Sequence, residues 1–167
     1  MSQEDVKKDI LKTDVSDVAE GIDETEYLEW LKFSQMDFTS AKYLYESPLH
    51  PKPLEIICYH CQQAAEKAVK ALIVFFGEPG GMPKVHNISF LLNQIKNIVV
   101  DRKGKEITSD IYDCADRLTQ YGVMPRYPNE IEVDERMTQK AVDDATTLIS
   151  WVNAVISTPD HEECEQE

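Results

Sequence analysis

Residues 54 to 76 restrict most severely what this chain can become. Breakers bracket them: Ser47-Pro48-Leu49-His50-Pro51-Lys52-Pro53 ahead, Gly77 and Pro79-Gly80-Gly81-Met82-Pro83 behind. Proline lacks the backbone donor and blocks the turn before it, so one regular element has to fit between the two breaks. Inside it, Tyr59-His60-Cys61-Gln62-Gln63-Ala64-Ala65-Glu66-Lys67-Ala68-Val69-Lys70-Ala71-Leu72 keeps helical spacing throughout. At about 100° per residue, Ile57, Cys61, Ala64, Ala68, Ala71 and Phe75 share one side, built from small residues for close packing. His60, Gln63 and Lys67 fall in a narrow arc on the other side, with Lys70 at its edge. An imidazole, an amide and ammonium groups together suit a phosphate or an acidic partner. The plainer reading of the same arc is a solvated helix face.

The remaining segments also keep a helical period. Leu28, Leu31, Phe38, Ala41 and Tyr45 predict a helix over about 24 to 46, with Asp23 or Thr25 as cap. Ile88, Leu91, Leu92, Ile95 and Ile98 mark a third helix, and Asp101-Arg102-Lys103-Gly104-Lys105 reads as a polar turn after it. Ile107, Ile111, Cys114, Ala115 and Leu118 mark a fourth. Tyr121 to Val133 contains proline and reads as a crossover, followed by a fifth helix carrying Met137, Ala141, Ala145, Leu148, Val152 and Val155. No segment alternates as a strand does, and no internal repeat is present. The expected fold is all-α: an up-and-down bundle of four to five helices occupying residues 24–157. Residues 1–23 form an acidic N-terminal extension, read either as a short amphipathic helix or as a loose tail, and residues 158–167 an acidic tail expected to be disordered.

The net charge of −14 is unevenly distributed. Residues 1–23 carry three lysines against seven acids, and residues 158–167 five acids with no lysine or arginine. The 14 basic and 19 acidic residues between them leave a net of only −5. This balance argues against broad binding along a nucleic-acid backbone while leaving room for a local basic pocket. No apolar run reaches membrane-spanning length, and Ser2-Gln3-Glu4-Asp5 does not open a signal peptide, so a cytoplasmic location without membrane contact is expected.

Metal and redox chemistry find little support. Cys58, His60 and Cys61 lack a second ligand pair at zinc spacing, and a thioredoxin-like pair should open a helix rather than lie within one. Asp110, Asp113 and Asp116 recur every three residues, which suits a solvated carboxylate face better than a cation site. No metal site, cofactor or catalytic residue is assigned. Arg126, in the crossover, is the strongest single binding candidate, because its planar fork matches phosphate oxygens; a salt bridge to a neighbouring acid is the plainer alternative.

Several pieces, in order, resemble the HEPN family. The 59–72 stretch resembles its second helix. Lys84-Val85-His86-Asn87-Ile88 with Leu91-Leu92 resembles the start of its third. Leu118, Tyr121 and Arg126-Tyr127-Pro128 resemble its leucine, tyrosine and arginine-tyrosine-proline block. Ala141, Ala145, Ile149 and Trp151-Val152 suit its last helix, and Trp30, Asp37 and Ala41 its first. Many HEPN proteins are metal-independent ribonucleases or toxins whose signature is an arginine followed four to six residues later by histidine. Here no histidine stands among the residues after Arg126 through Asp134. Arginine cannot serve as a general base at neutral pH, so the signature is incomplete.

The resemblance therefore implies a homodimeric, noncatalytic subunit that binds a nucleotide or a minimal nucleotidyltransferase partner. Arg126, His60, Gln63 and Lys67 are expected to converge on one pocket, with Lys70 at the rim, His86 nearby and Tyr127 stacked on a base. In a competing arrangement Lys67 pairs with Glu66 or Glu130 and leaves no pocket. Two rivals remain: a metal-independent ribonuclease toxin of a toxin–antitoxin pair, with RNA as substrate and His60 or His86 replacing the missing imidazole, and an interaction module without ligand.

Overall fold

A computed structural model describes residues 25–77, 82–122 and 132–161. Five α-helices follow in order: α1 (Glu26–Glu46), α2 (Leu54–Phe76), α3 (Ile88–Lys103), α4 (Ser109–Thr119) and α5 (Glu135–Ser157). A single 3₁₀ turn, Gln120–Gly122, extends α4, and no strand occurs among the described residues. The all-α bundle expected from the helical periods is the architecture found. None of the described helices is long and apolar enough to cross a membrane.

The breakers act where the sequence placed them. α2 begins directly after Pro53 and stops at Gly77, whose left-handed φ of 63° lets its N–H reach back to the carbonyls of Ile73 and Val74. Asn87 caps α3, its side chain accepting the Phe90 N–H at 2.8 Å. Asp134 does the same for α5, accepting from Met137 N–H at 2.7 Å.

α2 is the centre of the bundle. It packs against α1, α3 and α5 and touches α4 and the 3₁₀ turn. Fourteen of its 23 residues are buried, against two of 21 in α1, so α2 supplies core on almost every side and α1 only on one. The expected packing side is confirmed: Ile57, Cys61, Ala64, Ala68 and Ala71 are fully buried. Leu72, Leu91, Leu92, Ile95, Leu118, Leu148 and Val152 complete the interior, each of these larger side chains contributing about 1.5–3 kcal/mol by leaving water. Ser34 of α1 donates its hydroxyl to the Ala64 carbonyl at 2.7 Å, the polar contact that a close α1–α2 approach requires. Between α4 and α5, Arg117 forks onto the buried Asp144 at 2.7 and 2.9 Å, and Lys140 adds a third contact at 2.9 Å.

Three expectations need correction. Leu28 does not face the core; it is 52% exposed, because α1 has only one helix firmly behind it. Asp101, Arg102 and Lys103 belong to α3 rather than to a turn. Their polarity does not break a helix; Gly104, at φ 60°, does. Finally, residues 158–161, at the start of the segment expected to be disordered, are held against α3. Asp160 pairs with Arg102 at 2.6 Å and Lys103 at 2.5 Å, and Lys103 donates to the Thr158 carbonyl at 2.7 Å. The rest of that segment and residues 1–23 lie outside the described residues.

Candidate functional site

Two carboxylates organise the polar side of α2. On the α1–α2 seam, Asp37 accepts from His60 Nδ1 at 2.9 Å and from the Lys67 ammonium. The two donors stand two turns apart on α2, and Asp37 reaches between them from α1. His60, Gln63 and Lys67 thus share a face as expected, but among the described residues the partner of Lys67 is Asp37 rather than Glu66, and Glu130 lies outside the described residues. The charge of Lys67 is already matched within the fold, and its side chain is only a quarter exposed. Gln63 turns along the helix and donates to the Gln62 side-chain carbonyl at 2.7 Å.

The second carboxylate, Glu66, is buried. It accepts from Lys70 at 2.7 Å, Gln62 at 2.8 Å and His86 Nδ1 at 3.1 Å. Burial pushes its pKa up, but the hydrogen bonds from Lys70 and Gln62 outweigh that, and the carboxyl lies below its ordinary value. Glu66 is therefore ionised at neutral pH. Lys70 is not at the rim of a pocket: it is 7% exposed, with its ammonium on Glu66 and 5.6 Å from the Trp30 ring centroid. Residues 62, 66 and 70 form an i, i+4 series whose stripe points inward, because α2 is enclosed on more sides than a surface helix.

His86 stands differently. Its side chain is 72% exposed, yet its Nδ1 is anchored on buried Glu66. An ionised carboxylate only accepts, so Nδ1 carries a proton and Nε2 is left to the outside. The imidazole is thereby fixed in tautomer while one nitrogen remains available to a ligand. Beside it, Gly122 packs so tightly on the Gln62 amide that a Cβ there would lie 3.2 Å from it. Arg126 and Tyr127 themselves lie outside the described residues.

The cysteines behave as core. Burial raises the Cys58 thiol to about 11 and the Cys61 thiol to about 12, leaving neither as a nucleophile at neutral pH. Asp116 accepts the Ser89 hydroxyl. Among the described residues no group of three or more His, Cys, Asp or Glu side chains is arranged to hold a metal ion.

Sequence reasoning missed the organising acids. Asp37 entered only as a residue that suits the first helix, and Glu66 only as an alternative partner for Lys67. The i, i+4 spacing of Gln62, Glu66 and Lys70 was the readable signal for the second cluster.

With this geometry in place, comparison with known proteins places the chain. The family model described as the HEPN domain matches residues 27–155, from the first turn of α1 to the last of α5. The crystal structure of an archaeal HEPN homologue is similar at 26% identity and a TM-score of 0.57, covering 78% of this chain and 98% of that one. A solved protein from Thermus thermophilus, at 22% identity and a TM-score of 0.61, covers 77% of this chain and 97% of its own and shares the fold. No curated protein matches the chain. The chain belongs to the HEPN domain family.

Proposed function

We propose that this HEPN-domain chain is a noncatalytic subunit that binds a nucleotide, with the phosphate end directed to the His86 edge of the α2–α3 cluster. The observation that carries this reading is the Glu66–His86 contact, which fixes an exposed imidazole on a buried carboxylate. In its imidazolium form His86 donates from both nitrogens, Nδ1 to Glu66 and Nε2 to a phosphate oxygen, and such a prepositioned donor loses little freedom on binding, so more of its hydrogen-bond energy appears as affinity. Arg126 contributes through the sequence: it lies four residues beyond Gly122, within roughly 14 Å of that glycine by chain length alone. Lys67 and His60 contribute less than their sequence positions promise, since Asp37 already holds both. A minimal nucleotidyltransferase partner docking on this face is the proposal's second form, and a nucleotide shared between the two subunits would unite them.

One observation favours the ribonuclease reading. A carboxylate-held imidazole with a free Nε2 is able to accept a proton, which is the role the missing histidine would have filled. Calorimetry separates the possibilities. Purified protein should bind a nucleotide, and Arg126→Ala and His86→Ala should each weaken binding by at least about 1 kcal/mol, roughly fivefold. Binding unchanged in both variants would move the site elsewhere. Metal-independent cleavage of RNA that vanishes in both would replace the noncatalytic reading with the nuclease one.

A further inference from the structure

The last turn of α3 carries two cations, Arg102 and Lys103, and both reach out of their own helix to the segment after α5. Basic residues in a last turn ordinarily answer the carbonyl end of that helix. Here Arg102 sets Nε at 2.8 Å and a terminal nitrogen at 2.6 Å from one oxygen of Asp160. Lys103 takes the other oxygen at 2.5 Å and donates to the Thr158 carbonyl at 2.7 Å. Two rings of α2 back the pair. The guanidinium carbon lies 5.5 Å from the Phe76 centroid and the ammonium 5.1 Å from that of Phe75.

The cations and the carboxylate are held very differently. The Lys103 side chain is only 4% exposed, so its charge requires an anion beside it at all times. Asp160 is 28% exposed and lies three residues past the end of α5, outside the five helices, where local opening costs little. The charges do not balance either. Two cations face one carboxylate, and among the described residues no other acid lies within ion-pair distance of either.

We propose that the Arg102–Lys103 corner is a phosphate-binding site that the chain's own Asp160 occupies as a resident competitor. A phosphate dianion balances both cations, where the carboxylate balances one. It also gathers into one group the acceptors that the chain supplies from two residues: one oxygen for the Arg102 fork and two for the Lys103 ammonium. The space to be filled is that of one carboxylate and one carbonyl, which selects a compact oxyanion over a bulky ligand. Binding opens the clasp, and the clasp in turn lowers the apparent affinity by the fraction of time it stays shut. The corner ends α3, whereas His86 precedes the start of this 16-residue helix, about 24 Å away. Neither site depends on the other.

Inorganic phosphate is the probe, at millimolar concentration and about pH 8, against potassium chloride of equal ionic strength. Asp160→Asn removes the competitor and leaves Lys103 without its counter-ion. This full-length variant should melt below the wild type and regain most of the loss in phosphate. By calorimetry it should bind phosphate at least about tenfold more tightly than the wild type does. The Arg102→Gln, Asp160→Asn chain should lose both the recovery and the binding, which also separates the site from general salting effects. In the wild type, phosphate should speed amide exchange across residues 158–161. An Asp160→Asn chain indifferent to phosphate, or a response that chloride reproduces or that survives Arg102→Gln, overturns the proposal. Should Asp160→Asn not fold, wild-type exchange decides, and unchanged exchange in phosphate overturns it as well.

Discussion

Replacing Glu66 with leucine tests the centre of the structure. The substitution removes a carboxylate that accepts from Lys70, Gln62 and His86 at 2.7, 2.8 and 3.1 Å. Its gravest effect falls on Lys70, whose side chain is 9% exposed and would keep a charge with no counter-ion. Breaking a buried pair from one side typically costs about 3–5 kcal/mol, far more than a surface pair contributes. For a domain of this size that corresponds to a fall in melting temperature of roughly 10–15 °C. Removing both charges in Glu66→Leu, Lys70→Met should restore most of the loss, because a matched apolar pair avoids the desolvation of both ions. Chemical denaturation of the four chains closes the cycle. The pH dependence has a definite sign. Glu66 titrates below its ordinary value of 4.5, so its contribution is present above that pH and is lost as pH falls through the lower folded value. The gap between wild type and Glu66→Leu should therefore narrow only below about pH 4.5. The double variant also separates stability from binding: it folds well but leaves His86 without its anchor, so nucleotide affinity should stay low. A single-variant cost under about 1 kcal/mol, or a double variant no more stable than Glu66→Leu, would refute the reasoning.

Two further outcomes follow from local geometry. Gly104→Ala should destabilise by about 1–2 kcal/mol in a thermal melt, since φ 60° is strained for any residue with a Cβ and the His161 ring occupies the space that atom needs. Cys58 and Cys61, with thiols raised to about 11 and about 12, should resist a disulfide reagent in the folded protein and react on unfolding, as peptide mass spectrometry of the labelled chain would register.

The helices were legible because their punctuation is chemical. Pro53 and Gly77, which the sequence reading named, fix the ends of α2 through a missing donor and a left-handed φ, whereas the caps at Asn87, Gly104 and Asp134 emerged only from the structure. Where punctuation is merely polar the reading erred: Asp101-Arg102-Lys103 continued α3, since polarity alone does not end a helix. The site was legible in part. His60, Gln63 and Lys67 share a face because a single helix's period determines that much. The burial of Lys70 was not readable, since it depends on how many neighbours surround α2. The capture of His60 and Lys67 by Asp37 joins positions 23 and 30 residues apart, and such pairings come from packing rather than local pattern.

The unequal burial of α1 and α2 grades the molecule's resistance to opening. With two buried residues and α2 as its single firm neighbour, α1 is held along one face only, while α2 cannot leave without dissolving the interior. Brief openings at equilibrium should therefore begin at α1, and its amides should exchange with solvent well ahead of those in α2. Asp37 rides on α1. Each such excursion withdraws one carboxylate and releases Lys67 and His60 together, so the seam's ammonium and imidazole become available in bursts rather than continuously.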